Sequence, residues 1–76
     1  MFKLLIVKPD EKVFEGEVRS LRVPGVGGGL EILSNHAPLV AALKPGKIRY
    51  DENVFDLRET ALLEVGKNTA KILVSQ

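Results

Sequence analysis

Apolar and polar residues alternate along this chain with a period of two, in short runs separated by turn residues, and no window carries a helical stripe. Phe2, Leu4 and Ile6 form one face of a first strand, and Leu5 and Val7 form the other. A strand that is apolar on both faces is expected to be central in its sheet or covered on both sides. Lys8-Pro9-Asp10-Glu11 then turns the chain, because Pro9 has no ladder donor and presets φ for a turn. The next run, VFEGEVRSLRV, changes phase: Phe14, Gly16 and Val18 share one parity, whereas Leu21 and Val23 share the other. A period-two pattern changes parity only by inserting a residue, so a bulge or bend is expected near Arg19-Ser20. In a sandwich, such a bend carries one strand from one sheet's core to the other's.

After a glycine-rich segment, Leu30 to Leu33 and Leu39 to Leu43 read as two more short strands. Lys44-Pro45-Gly46 has the composition of a turn. Lys47 to Tyr50 and Val54 to Leu57 then alternate around Asp51-Glu52-Asn53, which predicts a hairpin with one wet face. Ala61 to Val65 and Ala70 to Val74 make a second hairpin around Gly66-Lys67-Asn68. Eight or nine closely spaced strands without crossover helices predict an all-β fold, either an antiparallel sandwich or a flattened barrel. No linker, internal repeat or low-complexity tract divides residues 1–76, so one domain is expected.

Composition narrows the function. With 76 residues, a domain buries only ~60% of its unfolded surface, so a permanent partner would add to its stability. There is no cysteine and a single histidine, so neither disulfides nor a dedicated metal site is expected. Eleven Lys and Arg against ten Asp and Glu leave a net charge of +1, which gives no electrostatic drive toward nucleic acid or anionic lipid. Three Phe and one Tyr, none in a basic cluster, supply no base-stacking platform. Apolar runs such as Leu4 to Val7 are far short of the ~20 residues of a membrane span. The opening MFKLLIVKPDEK turns charged too early for a signal peptide, so a soluble domain on the reducing side is expected.

Two segments invite chemistry. Gly25, Gly27, Gly28 and Gly29 follow a strand, as in phosphate-binding loops, but a strand-like LEIL comes next where a helix N-terminus would be needed. The glycines therefore read as a wide, open turn. His36 has the right intrinsic basicity for a general base, which also requires a nucleophile and an orienting acid within reach. Ser34, Glu31 and Asp51 are nearest in sequence, and nothing requires them to converge on His36. A structural or docking histidine and a non-enzyme are expected. The alternative is a small β-domain that binds a ligand or hydrolyses a substrate around His36, which demands a concave pocket there. Glu31, between Leu30 and Ile32, belongs on the opposite face from both.

The segment HAPLVAALKPGKIR, after a Pro-Gly-rich loop and ILSN, resembles the N-terminal domain of the epsilon subunit of F-type ATP synthase. KLLIVKPDEKVFEGEVRSLRVPG is similar to that family's first two strands, and LLEVGKNTAKILV to its final hairpin. The resemblance implies a flattened antiparallel β-sandwich of about ten strands without catalysis, cofactor or metal. It implies a rotor subunit at the foot of the central stalk, present as one copy in a hetero-oligomeric complex. That subunit docks to gamma and to polar loops of the c-ring, coupling proton translocation to ATP synthesis without inserting into the membrane. The location implied is the cytoplasmic face of a bacterial inner membrane, with the plastid thylakoid as the alternative.

Carried onto this sequence, the c-ring side corresponds to Gly29, Leu30 and Glu31, and the gamma side to Lys8, His36, Leu39 and Ala41. Several positions depart from the family's pattern. Glu31 occupies a place usually held by glycine, and Gly29 the place of the usual acid, a displacement of two residues that keeps strand parity. Ser34-Asn35 replaces a common Pro-Gly, with Asn35 able to take the left-handed conformation, and Thr60-Ala61 replaces a frequent Gly-Gly. The family's C-terminal helical hairpin has no counterpart in these residues. Neither inhibition by helix insertion nor ATP binding through that hairpin is therefore expected of them.

Overall fold

Each alternating run becomes a strand in the computed structural model, which describes all 76 residues. The nine strands are β1 (Phe2–Val7), β2 (Lys12–Val18), β3 (Ser20–Gly25), β4 (Gly28–Leu33), β5 (Leu39–Leu43), β6 (Gly46–Tyr50), β7 (Asn53–Leu57), β8 (Ala61–Gly66) and β9 (Thr69–Val74). This matches the all-β expectation at the count set by periodicity, one below that implied by resemblance. Hydrogen-bonded neighbours run β2-β1-β9-β8-β5-β3-β6-β7, with β4 on β3. β5 touches β3 at a single bridge, Gly25↔Leu43. There the sheet curls over itself, giving a first layer of β2, β1, β9, β8 and β5 and a second of β4, β3, β6 and β7.

All pairings are antiparallel except β1 with β9, where Lys3 to Val7 run parallel to Thr69 to Leu73. Side chains alternate in the same way in parallel and antiparallel strands, so periodicity does not reveal strand direction. Hairpins identify antiparallel neighbours, but β1 and β9 lie at opposite ends of the chain and share no turn.

The core comes from the inward parity of both layers. Phe2, Leu4, Ile6, Leu63 and Ile72 from the first meet Leu21, Ile32 and Ile48 from the second, each at most 1% exposed. Burying side chains of this size stabilises by about 1.5–3 kcal/mol each before conformational entropy is counted. Phe14 and Tyr50 close one edge, with ring centroids 4.7 Å apart. No polar or charged residue is buried, so nothing in the core demands a buried partner. β1 lies between β2 and β9 as its two apolar faces predict, with Leu5 and Val7 half-buried on the outer side.

The expected phase change is a bend at Arg19, between the end of β2 and the start of β3. Asp51 holds it: Oδ1 accepts from the backbone N–H of Arg19 at 2.9 Å and of Ser20 at 3.1 Å. Asp51 itself sits in the left-handed region at φ 54°, as do Asn35 at 64° and Asn68 at 55°. These short polar side chains tolerate that conformation.

The glycine segment differs from the wide, open turn expected. Gly25 pairs with Gly28, leaving only Val26 and Gly27 as the turn of a tight β3–β4 hairpin. Gly25 permits the close approach, since a Cβ there would lie 2.5 Å from the Gly28 carbonyl oxygen. Gly28 adopts φ 135°, which side-chain-bearing residues rarely take. The N–H of Val26 donates to the Ala42 carbonyl at 2.9 Å, and that of Lys44 to the Pro24 carbonyl at 2.9 Å, tying the hairpin to β5.

Candidate docking surface

Strands of the first layer turn a second apolar set outward. Register places Val7 beside Leu73, Leu73 beside Leu62, and Leu62 beside Ala42, a row crossing β1, β9, β8 and β5. The neighbouring row is Leu5, Lys71, Glu64 and Val40, with Val40 69% exposed. Val26, 62% exposed, adjoins Ala42 through its backbone bond. None of the row packs on the core: Ala61, Leu63, Ile72 and Val74 point inward, while Leu62 and Leu73 between them face out. Dehydrating an apolar strip of this kind favours association, and exposed contiguous apolar surface is uncommon on a lone monomer.

The second layer's outer face is mainly polar, with Leu33 and Val54 as its exposed apolar exceptions. Glu31, Arg22 and Arg49 form a cross-strand row, with Arg22 Nε 3.3 Å from Glu31 Oε2. Lys47 Nζ donates to Asp56 Oδ1 at 2.8 Å and holds that carboxyl below the usual carboxylate range. On the first layer's rim, Glu15 is likewise lowered, first by its hydrogen bond from Lys12 and then by that from Lys3. These exposed pairs add little to stability.

Of the c-ring positions suggested by resemblance, all three lie on β4: Gly29 and Glu31 on its outward parity, Leu30 turned against the core. The carboxylate of Glu31 is engaged by Arg22 across the hairpin. Of the gamma positions, Leu39 and Ala41 share the inward parity of β5, and Leu39 packs on the core. Lys8 and His36 stand at opposite ends of the first layer. Lys8 follows Val7 at the end of the apolar row and pairs with Glu11 at 3.5 Å. His36 lies beside a crevice lined by Phe2, Val65 and Thr69. Val40 and Ala42 of β5, Leu62 of β8 and Leu73 of β9, which turn outward, were not singled out from the sequence. Their signal was present, because LLIV, LVAAL, ALL and ILV are apolar at both parities.

The histidine-centred alternative needs a hydroxyl and an acid converging on the ring. The His36 Nδ1 instead lies 2.7 Å from the Ala37 carbonyl, so this nitrogen carries the proton and donates. The His36 backbone N–H donates to the Leu33 carbonyl at 3.2 Å, closing the β4–β5 turn. Asp51 is committed to the Arg19-Ser20 bend and Glu31 to Arg22. His36 is a turn residue, and no group of three or more His, Cys, Asp or Glu side chains is placed to hold a metal ion.

Residues 1–76 match the family model described as ATP synthase, Delta/Epsilon chain, beta-sandwich domain. The chain is 44% identical to an ATP synthase epsilon chain of Chlorobium limicola, covering 95% of this chain and 86% of that one. It is 39% identical to one from Chlorobaculum tepidum, covering 99% and 90%. An epsilon chain of Dichelobacter nodosus is 52% identical over 48 residues, and there the match covers only 34% of the relative. The fold superposes on a chain of the Tetrahymena thermophila mitochondrial ATP synthase central stalk/c-ring structure, with TM-score 0.82 at 16% identity. It also superposes on a chain of the Euglena gracilis mitochondrial ATP synthase OSCP/F1/c-ring structure, with TM-score 0.86 at 18% identity. Those matches cover 97% and 96% of this chain but 63% and 49% of the others. Together, the full-length family match and the two epsilon relatives of similar length establish that the chain belongs to the ATP synthase delta/epsilon β-sandwich family as an epsilon-type, non-catalytic chain.

Proposed function

We propose that these 76 residues act as one domain of the central stalk of an F-type ATP synthase, docking to gamma and to polar loops of the c-ring. The protein thereby helps couple proton translocation to ATP synthesis from the cytoplasmic face of a bacterial inner membrane, without inserting into it. The observation that carries the gamma contact is the outward row Val7, Leu73, Leu62 and Ala42 on a layer already packed on its inner side. A subunit permanently covered there gains burial that a free monomer of this size lacks. Lys8 and the half-buried Leu39 and Ala41 border this row, and His36 shapes the turn leading into β5. The c-ring contact is assigned to outward β4, at Gly29 and Glu31, with Leu30 anchoring the strand from beneath.

The test is a titration of gamma with the wild-type chain and with Ala42→Asp. Leu39 would be a poor choice, because its side chain also packs on the core. An outward carboxylate placed in a desolvated apolar contact should weaken binding by roughly 30-fold or more. Unchanged affinity for Ala42→Asp would remove this face from the interface. For the c-ring, Glu31→Lys in the assembled enzyme should lower ATP-driven proton pumping relative to ATP hydrolysis. Full coupling in that variant would reject the β4 assignment.

A further inference from the structure

We infer that Lys71 and Glu64 set the orientation in which gamma docks, an acidic side chain of gamma meeting Lys71 and a basic one meeting Glu64. This rests on the docking reading above. The two residues stand opposite each other on β9 and β8, between Leu5 of β1 and Val40 of β5. Both are exposed on the outward parity, in the row next to Val7, Leu73, Leu62 and Ala42.

The apolar row is too small to be an interface by itself. Strands lie ~4.8 Å apart and same-face residues ~7 Å apart along a strand, so one row across four strands covers on the order of 150 Å². A stable interface takes roughly 800 Å² from each partner. Along the strands the contact can spread in one direction only. Past the apolar row, β1 ends at Val7, β9 at Val74 and β5 at Leu43, while β8 begins at Ala61. The layer continues on the other side, through Leu5, Lys71, Glu64 and Val40.

A partner covering that second row takes two charges out of water. A buried charge without a counterpart is costly, so the covering surface must present the opposite sign at each position. Other charges of this layer are already engaged: Glu15 meets Lys3 at 3.0 Å and Lys12 at 2.6 Å, and Lys8 meets Glu11 at 3.5 Å. Lys71 and Glu64, though in register, form no ion pair with each other. The apolar row carries no direction, since aliphatic side chains accept one another in either sense. A cation toward β1 and an anion toward β5 do fix direction, because reversed docking would set like charges together.

The experiment exchanges the two charges. Gamma is titrated with the wild-type chain, with Lys71→Glu, with Glu64→Lys, with both substitutions together, and with Ala42→Asp. Both sites are exposed, so these charge variants should melt close to the wild type. Each single reversal should weaken binding by at least about tenfold, and the double exchange should weaken it further. The double exchange keeps the net charge and the mutual balance of the pair while reversing what gamma meets. A pair that only balances itself would therefore bind like the wild type when both are exchanged. Unchanged affinity in the single reversals, or a double exchange no weaker than either of them, overturns the charge assignment. If Ala42→Asp still loses affinity in that case, the docking face stands. Wild-type affinity for Ala42→Asp means that the docking reading itself has failed, and the charge assignment with it.

Discussion

The two layers of the sandwich share one core but present different surfaces to their surroundings. Outside the first layer runs the apolar row Val7, Leu73, Leu62 and Ala42. Outside the second, the equivalent positions carry Glu31, Arg22 and Arg49, with Lys47 and Asp56 beside them. Inward parity is dictated by the fold, since a one-residue slip would bring charge into the core. Outward parity is not, and polar residues there would serve an isolated β-domain at least as well. The second layer therefore carries the polar set suited to water and, at β4, to the polar loops proposed above. The first layer's row has the composition expected where another subunit replaces water.

The sharpest way to break this comparison is to truncate two adjacent leucines of β8. Leu63 is fully buried, so Leu63→Ala should cost about 2–5 kcal/mol in denaturant unfolding. In a small domain that is a large share of total stability. Leu62→Ala should change stability of the isolated chain by less than about 1 kcal/mol while weakening gamma binding. Equal destabilisation by the two variants would mean that the outer row belongs to the core and not to an interface.

A smaller effect is expected at the corner joining the layers. Asp51→Ala removes the acceptor of the Arg19 and Ser20 N–H groups and should cost about 1 kcal/mol, since water can partly replace it. Asp51→Asn keeps an oxygen acceptor and tolerates the left-handed backbone, so it should retain most of that stability. Equal loss in both variants would show that charge, not acceptor geometry, fixes the bend. On the second face, Arg49→Ala should lie within about 0.5 kcal/mol of wild type, because Arg49 faces solvent opposite another cation, Arg22. A larger loss would contradict the reading of that surface as solvated.

The smallest effect is electrostatic. The Glu15 and Asp56 carboxyls are held below their usual range by Lys12 and Lys3 and by Lys47, respectively. A depressed folded-state value means that their contribution is fully present above the unfolded value. It is lost as pH falls through the folded one. Carboxyl titration by NMR should show both protonating at lower pH than the unfolded chain, with Lys12→Met moving Glu15 upward. Both groups are solvent-exposed, so raising salt should shrink the shifts.

Much of the candidate surface was accessible from the sequence. The double apolar faces of LLIV already implied cover on both sides of β1, and the same test applied to LVAAL, ALL and ILV would have found Ala42, Leu62 and Leu73. Resemblance named Leu39 and Ala41 of β5, which share the inward parity, whereas Val40 and Ala42 turn outward. Which of two apolar sets faces the core is settled by packing against the other layer. The glycine hairpin shows the same limit. Composition marked it as a turn, but its tightness follows from Gly25 pairing with Gly28 and from its attachment to β5.

The sequence by itself determined the all-β class, the strand positions, the parity break at Arg19-Ser20 and the family, because these are written in local periodicity, turn residues and contiguous motifs. Only the tertiary structure decided what residues far apart in the chain do together. It paired β1 with β9 in parallel, seated Asp51 on the Arg19 bend, and brought Gln76 to the N–H groups of Arg58 and Glu59. It also aligned Val7, Leu73, Leu62 and Ala42 into one row. Periodicity gives each strand two faces, and register between strands assembles those faces into a surface.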